Sequence, residues 1–346
     1  MTPRAQANSI DSPKTSAPAR QRILSGNRPT GPLHLGNYLG ALQNWVRLQD
    51  VYDCRFMVAD WHALTSDYAD SSRVPEFTRR MVVDWIGAGL DPERSIVFVQ
   101  SQVKQHAELA LLLGMFTPVP WLERTPSFKD MQAQMKDKDL NTHGFLGYPV
   151  LQAADILLYK AHVVPVGEDQ VAHLELCREI VRRVHHFHQT EIWPEPMPML
   201  SKIPKLRGVD GRKMSKSYDN CIYLSDDDSR IWDKIKDMVT DPARVRRSDP
   251  GDPEVCSVFD YHKVFSEADK DRIGADCRTA AIGCVDCKKK LAASLKSLLE
   301  PMRERRAAFE ARPNAVEEVV ADGNARARRI AEATMTEVRE TLHLPN

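Results

Sequence analysis

The chain has 346 residues with 48 basic and 48 acidic side chains, so its formal net charge is 0, which excludes a uniformly basic, histone-like nucleic-acid binder. Hydrophobic residues make up 42% and charged ones 28%. The mean hydropathy is -0.43, and no apolar run nears the ~18 residues of a spanning helix, so no membrane protein is expected. Seven cysteines, an odd number with no secretory segment before them, argue against a disulfide framework and for a reducing, cytoplasmic setting. At this length two domains are expected, because single cores stop growing near ~250–300 residues.

Residues 1–20 carry prolines at 3, 13 and 18 among small polar side chains, which leaves no apolar face and reads as a disordered tail. An acid-poor start is also seen in transit peptides, but Asp11 and the prolines spoil an amphipathic helix. From Arg22 on, short β-branched or aromatic runs alternate with amphipathic stretches of helical length. Strands are expected at 22–25, 55–58, 95–99 and 163–166, and helices at 36–48, 74–88, 105–115, 150–159 and 170–188. This alternation predicts an α/β fold, a Rossmann-like doubly wound parallel sheet over residues 21–225. The proline-rich stretch 193–204 reads as a connecting loop. After 225 the strand pattern stops, and 226–240, 266–275, 285–312 and 316–342 read as the helices of a second, all-helical C-terminal domain over 226–346. No repeat of solenoid period is present.

Three segments carry chemistry. Residues 24–37 read LSGNRPTGPLHLGN; glycines at 26, 31 and 36 between a predicted strand and a predicted helix allow close approach of a ligand, and the helix start offers free N–H groups to an anion. The segment is neither a Walker loop nor a dinucleotide fingerprint, and a tight strand-to-helix turn would use the same glycines. Residues 211–217 read GRKMSKS, a Gly-flanked loop whose Lys213 and Lys216 can close over a triphosphate and neutralise a departing pyrophosphate. A charged surface loop is the plainer reading of a lone K-x-x-K. Finally, Cys256, Cys277, Cys284 and Cys287 follow the spacing C-x20-C-x6-C-x2-C, four soft donors suited to tetrahedral zinc or to an iron–sulfur cluster. Spacing does not choose between them, and four unrelated reduced thiols are the remaining alternative. Cys54, Cys177 and Cys221 read as small buried hydrophobes. Residues 288–306 add seven Lys or Arg against two Glu, a patch that can meet a nucleic-acid backbone or can be a solvated helix face.

His34-Leu-Gly-Asn37 resembles the HIGH signature of class I aminoacyl-tRNA synthetases, and 213–217 carries KMSKS letter for letter. Residues 147–159 (GYPVLQAADILLY) and 164–170 (VPVGEDQ) look like the tryptophanyl-tRNA synthetases. The resemblance covers nearly the whole chain from Arg22. It implies a ligase that activates L-tryptophan with ATP and Mg²⁺ and transfers it to tRNA(Trp). It also implies a homodimer formed through a helical insertion at about 100–160, and a helical anticodon-binding domain. It implies that His34, Asn37, Lys213 and Lys216 act on the phosphates. Arg28, Pro29, Thr30, Gly36, Gly167, Glu168, Asp169, Met214, Ser215 and Ser217 would contact ATP, with Leu206 against adenine. Asp155, Tyr148, Gln152, Gln170 and Leu24 would take tryptophan. Tyr148, Gln152, Asp155 and Tyr159 fall on one helix face, where a buried Asp can accept the indole N–H that phenylalanine lacks. Asp60 and His62 would line the same pocket or form a satisfied structural pair.

Two positions depart from the pattern: Arg28 stands where many members have Gln, and Gln152 where many bacterial ones have Met. Tyr-x-x-x-Gln-x-x-Asp also resembles a tyrosyl pocket, so tyrosine is the competing substrate, and a non-catalytic tRNA-binding or ligand-binding regulator is the competing class. The cysteine pattern resembles that of the tryptophanyl enzymes that carry a [4Fe–4S] cluster, which favours iron–sulfur over zinc.

Overall fold

The computed structural model describes residues 20–125, 141–200, 206–212 and 214–345, and of Ser217 only the backbone. The tail expected at 1–20 lies outside it except for Arg20. Five strands form one parallel sheet: β1 (Arg22–Asn27), β2 (Asp53–Val58), β3 (Ile96–Val99), β4 (Val163–Val166) and β5 (Met197–Leu200), in the order β3-β2-β1-β4-β5. Ile23 pairs with Cys54 on one side and Val163 on the other. The strand order reverses between β1 and β4, and in open parallel sheets ligands bind outside the carboxyl ends of the strands at that switch point.

One expectation is corrected here. The stretch read as a loop at 193–204 contains β5, which pairs with β4 from Val163↔Met197 to Val166↔Leu200. Pro198 disguises it in sequence, and an edge strand tolerates a proline because one of its sides needs no ladder.

Between the strands lie α1 (Leu35–Asn37), a π turn (Tyr38–Leu42), α2 (Gln43–Leu48), α3 (Asp60–Asp67), α4 (Val74–Ala88), α5 (Gln105–Phe116), α6 (Val119–Glu123), α7 (His143–Leu158) and α8 (Val171–His188). The first three make up the helix expected at 36–48, and α3 was not expected. The helix expected from 150 begins at His143, because Thr142 caps it by accepting the Phe145 N–H at 3.2 Å and Pro149 sits inside it. Beneath the sheet Trp45 stacks on Phe56 at 4.9 Å between centroids and meets Trp85 edge-on at 5.3 Å.

The remaining elements are helical: α9 (Asp228–Lys236), α10 (Ser257–Phe265), α11 (Lys270–Arg278), α12 (Cys284–Glu310) and α13 (Ala315–Thr341). α12 packs along α4, and α13 returns to the free edge of β3. A Cβ at Gly323 would lie 1.8 Å from the Val97 carbonyl oxygen, so only glycine lets α13 press this closely. Next to it Asn324 Oδ1 accepts the Val99 N–H at 2.9 Å, satisfying a donor that an open edge would leave unpaired. Ala327, Ala331, Met335 and Val338 join the apolar cluster that holds Phe98 and Leu109. Among the described residues no helix is long and apolar enough to cross a membrane.

Candidate active site

A cavity of about 440 Å³ opens at the switch point, between the ends of β1 and β4 and the faces of α2 and α7. Of the residues singled out in sequence, Leu24, Arg28, Gly36, Asn37, Tyr148, Gln152, Asp155, Gly167 and Gln170 line it. His62 from α3, which the sequence reading also put in the pocket, lines it as well, and Asp60 does not.

Asp155 is the most constrained group there. It is 2% exposed, and its carboxylate accepts from three donors: His62 Nε2–H on Oδ2 at 2.8 Å, and Gln100 Nε2–H at 2.8 Å and His106 Nδ1–H at 2.6 Å on Oδ1. The second nitrogen of His106 accepts from the Tyr159 hydroxyl at 2.8 Å. Burial alone would raise the Asp155 pKa, but the hydrogen bonds from His106 and His62 outweigh it and hold the carboxyl below its usual range. A carboxylate has about four acceptor positions, so three donors leave one, on Oδ2, for a donor in the cavity.

The sequence reading placed Tyr159 beside Asp155 on the ligand face. It is instead fully buried behind Asp155, acting through His106. The Asp60–His62 pair does not form either. Asp60 Oδ1 accepts the Trp61 and Ser101 N–H groups at 3.1 and 2.9 Å, and His62 turns to Asp155. Gln100 and His106 escaped the sequence reading, since nothing local ties residues after β3 and on α5 to a carboxylate on α7.

On the opposite wall the Tyr148 hydroxyl donates to His173 Nε2 at 2.7 Å, and His173 Nδ1–H donates to Gln170 Oε1 at 3.0 Å. Burial holds the His173 pKa down to about 4, so the ring is neutral and its two nitrogens keep these opposite roles. Gln152 Nε2 donates weakly to the same Gln170 oxygen at 3.5 Å, and Gln170 Nε2 donates to Asp169 Oδ2 at 2.7 Å. Glu168 and Asp169 are exposed, next to Gly167 on the wall.

The two signature segments meet, although they lie far apart in sequence. His34 Nδ1 accepts the Asn37 N–H at 3.3 Å while the His34 N–H donates to Asn37 Oδ1 at 3.1 Å, a reciprocal cap at the start of α1. Leu35 N–H donates to the Ile222 carbonyl and Leu224 N–H to the Leu33 carbonyl, both at 2.9 Å, strapping this segment to the chain just after the lysine loop. The Lys216 ammonium lies over Gly31, 3.5 Å from where a Cβ would be, and the Met214 sulfur lies 3.2 Å from the Cβ position of Gly36. Gly36 thus makes room for Met214 and for the His34 ring, 2.9 Å from the same position. Burial first, then Lys216, lowers the His34 pKa to about 4, and burial lowers that of Lys216. His34, Pro29, Thr30, Met214, Ser215 and Lys216 do not line the cavity, although His34 and Met214 abut Gly36, which does. Leu206 packs on the main core. Lys213 and the Ser217 side chain lie outside the described residues.

In the helical region Cys256, Cys277 and Cys287 have raised pKa values. Burial is the first cause in each, and the other thiols of the set add to it by like-charge repulsion. The four are therefore neighbours, and Cys287 Sγ also lies 3.4 Å from His262 Nε2. Yet among the described residues no three His, Cys, Asp or Glu close into a set that could hold a metal ion. Most of the basic run at 288–306 is used internally. Lys288 bonds the Lys236 carbonyl, Lys296 and Arg303 pair with Asp228, Arg305 bonds the Gly87 carbonyl, and Arg306 pairs with Asp84.

The family described as class I tRNA synthetases for tryptophan and tyrosine matches residues 17–300. A tryptophan-tRNA ligase of Thermotoga maritima is 52% identical over 93% of the chain and 99% of its own length. One of Aquifex aeolicus is 42% identical over 94% and 100%. Among solved structures, tryptophanyl-tRNA synthetase from Campylobacter jejuni, complexed with ADP and tryptophan, superposes with a TM-score of 0.85 at 33% identity, covering 94% of this chain and all of its own.

Proposed function

Since the chain belongs to the class I tRNA synthetases, and within them to the bacterial tryptophan-tRNA ligases, we propose that the cavity between β1 and β4 is where tryptophan and ATP react. The reaction is the ATP-dependent ligation of tryptophan to tRNA. The tryptophan carboxylate attacks the α-phosphorus of ATP; a phosphorus–oxygen bond forms as the bond to pyrophosphate breaks, and a terminal ribose hydroxyl of the tRNA then takes the acyl group and releases AMP. Asp155 carries the reading. An ionised carboxylate with one acceptor position left, facing a cavity lined by Tyr148, Gln152 and Gln170, fits an indole N–H and rejects a ring that lacks it. Leu24 supplies an apolar wall.

His34, Asn37, Lys213 and Lys216 serve the phosphates, with catalysis by positioning and charge stabilisation. What supports this is the packing of Met214 and Lys216 onto the 31–37 segment. Arg28 is exposed and lines the cavity, and Glu168 and Asp169 take the ribose, a role that their exposure next to Gly167 supports. Pro29, Thr30, Gly36, Gly167, Ser215 and Ser217 complete the ATP contacts. Mg²⁺ arrives with ATP and screens phosphate charge when bound.

The helices after 225 serve as the anticodon-binding domain, and the enzyme works as a cytoplasmic homodimer. Support for the dimer comes from Leu111, Met115 and Val119, which are 63%, 73% and 54% exposed on α5 and α6, within the expected insertion. None of the seven cysteines is in a disulfide. Cys256, Cys277, Cys284 and Cys287 hold a [4Fe–4S] cluster, with zinc the alternative. Their donor chemistry and mutual proximity support this, whereas the set does not close in this structure, and no step of the reaction depends on it.

The test is ATP–pyrophosphate exchange run with tryptophan, with tyrosine and with no amino acid. Exchange with tryptophan alone is expected. Exchange with tyrosine alone, or with neither on folded protein, would overturn the reading.

A further inference from the structure

One buried charge belongs to no step so far. Asp84 on α4 is 5% exposed, and its two oxygens face different ways: Oδ1 pairs with Arg306 of α12 at 2.5 Å, and Oδ2 accepts the Leu33 N–H at 3.4 Å. Leu33 is itself 2% exposed and precedes His34, so without Asp84 its N–H would be a buried donor with no acceptor. One turn earlier on α12, Arg303 donates to the Asp226 carbonyl at 2.8 Å and pairs with Asp228 at 2.6 Å. Asp226 in turn accepts the Tyr223 N–H at 2.8 Å, and Tyr223 bridges to His34. Two arginines a turn apart on a single helix thus hold both sides of the strap that carries His34. The α4–α12 contact is tight as well, since a Cβ at Gly87 would lie 3.1 Å from both the Met302 carbonyl oxygen and the Arg306 Cβ.

We propose that Asp84 and Arg306 form a positioning pair through which α12 of the helical region fixes the Leu33–Asn37 segment, and so sets how the enzyme holds the phosphates of ATP. The pair touches no substrate; it acts through His34 and Asn37, and the Asp84 charge also bears on the Lys216 ammonium, whose pKa burial lowers and that charge raises. The inference rests on the assignment of those two residues to ATP, and its consequence is that whatever occupies the helical region is felt first at the ATP site.

The experiment is steady-state ATP–pyrophosphate exchange on the full chain, with thermal midpoints measured alongside. Arg306→Met leaves Asp84, a carboxyl whose pKa burial already raises, buried without its counter-charge. It is expected to raise the KM for ATP at least fivefold with the KM for tryptophan within twofold, and to lower the midpoint. Asp84→Asn/Arg306→Met removes the buried charge while an amide oxygen still accepts from Leu33. This double variant is expected to recover part of the midpoint lost in Arg306→Met, because no carboxyl is left buried without its counter-charge, yet to keep the raised KM for ATP. Recovery of the KM together with the midpoint would show a merely structural pair and overturn the proposal, as would equal rises in both KM values. His34→Ala separates the two layers. If it impairs ATP use while the double variant does not, only the positioning pair falls. An unchanged KM for ATP in His34→Ala would overturn the ATP assignment and this inference with it.

Discussion

Asp155→Asn tests the pocket with least disturbance to the fold. The substitution keeps an oxygen that can continue to accept from Gln100 and His106, the two donors on Oδ1. Its amide nitrogen then replaces Oδ2, where His62 Nε2 approaches at 2.8 Å. His62 answers by moving its proton to Nδ1, so that Nε2 accepts instead. The interior stays satisfied and the thermal midpoint is expected to shift by only a few degrees. The cavity side changes sign: the remaining position, formerly a lone pair, becomes a second N–H pointing at the indole N–H. Loss of one hydrogen bond to a charged acceptor is worth ~1.5–3 kcal/mol, which corresponds to roughly 10- to 150-fold in tryptophan affinity. Exchange kinetics with tryptophan and ATP varied in turn should show that rise in the KM for tryptophan and at most a twofold change for ATP. Equal changes in the two KM values, or an unchanged KM for tryptophan, would refute the assignment of Asp155 to the indole.

Lys216→Ala and Lys213→Ala are each expected to slow adenylate formation by ~10²-fold or more, as loss of a single charge-stabilising contact does elsewhere, with tryptophan affinity unchanged in equilibrium binding; unchanged rates would remove the loop from the mechanism. Gly323→Ala should destabilise the protein by ~2–3 kcal/mol, since its Cβ would fall 1.8 Å from a backbone oxygen of β3, and an unchanged urea midpoint would mean that α13 does not press on the sheet edge. His173, buried with its pKa lowered to about 4, takes up a proton near 6.5 once unfolded. Its contribution, up to ~3 kcal/mol, is therefore fully present above pH 6.5 and is lost as pH falls toward 4. Urea midpoints of His173→Gln should show a flatter dependence in that window, and an unaltered slope would contradict the buried neutral ring. Protein purified without oxygen should be brown with about four irons per chain if the cysteines hold a cluster; a colourless, iron-free preparation would dismiss it.

What could be read from the chain alone follows physical range. The sheet strands β1 to β4, the long helices α4, α8, α12 and α13, and the glycine and lysine loops announce themselves through patterns spanning a few residues, and their bounds agree with the structure to within a few positions. Elements that break a local rule were missed: β5 because of Pro198, the first turns of α7 because of Pro149, and α10 because its aromatic and β-branched run, SVFDYHKVF, earns helical form only by burying Val258, Phe259 and Tyr261. The cavity residues on α7 were legible because one helix carries them at helical spacing. Their partners were not. Gln100 and His106 come from the turn after β3 and from α5, and His62, read as a pocket residue, was not tied to Asp155; only the packing of those elements around α7 turns an ordinary aspartate into a fixed acceptor. The basic run reads in two ways, and a count of charges does not reveal that Arg303, Arg305 and Arg306 are held by Asp228, Gly87 and Asp84.

The most direct test of the account is a crystal structure with tryptophan and a non-hydrolysable ATP analogue bound. The indole nitrogen is expected within ~2.7–3.2 Å of Asp155 Oδ2, with the phosphates between His34 and Lys216. Tryptophan bound elsewhere, or with its indole nitrogen turned away from Asp155, would contradict the central claim.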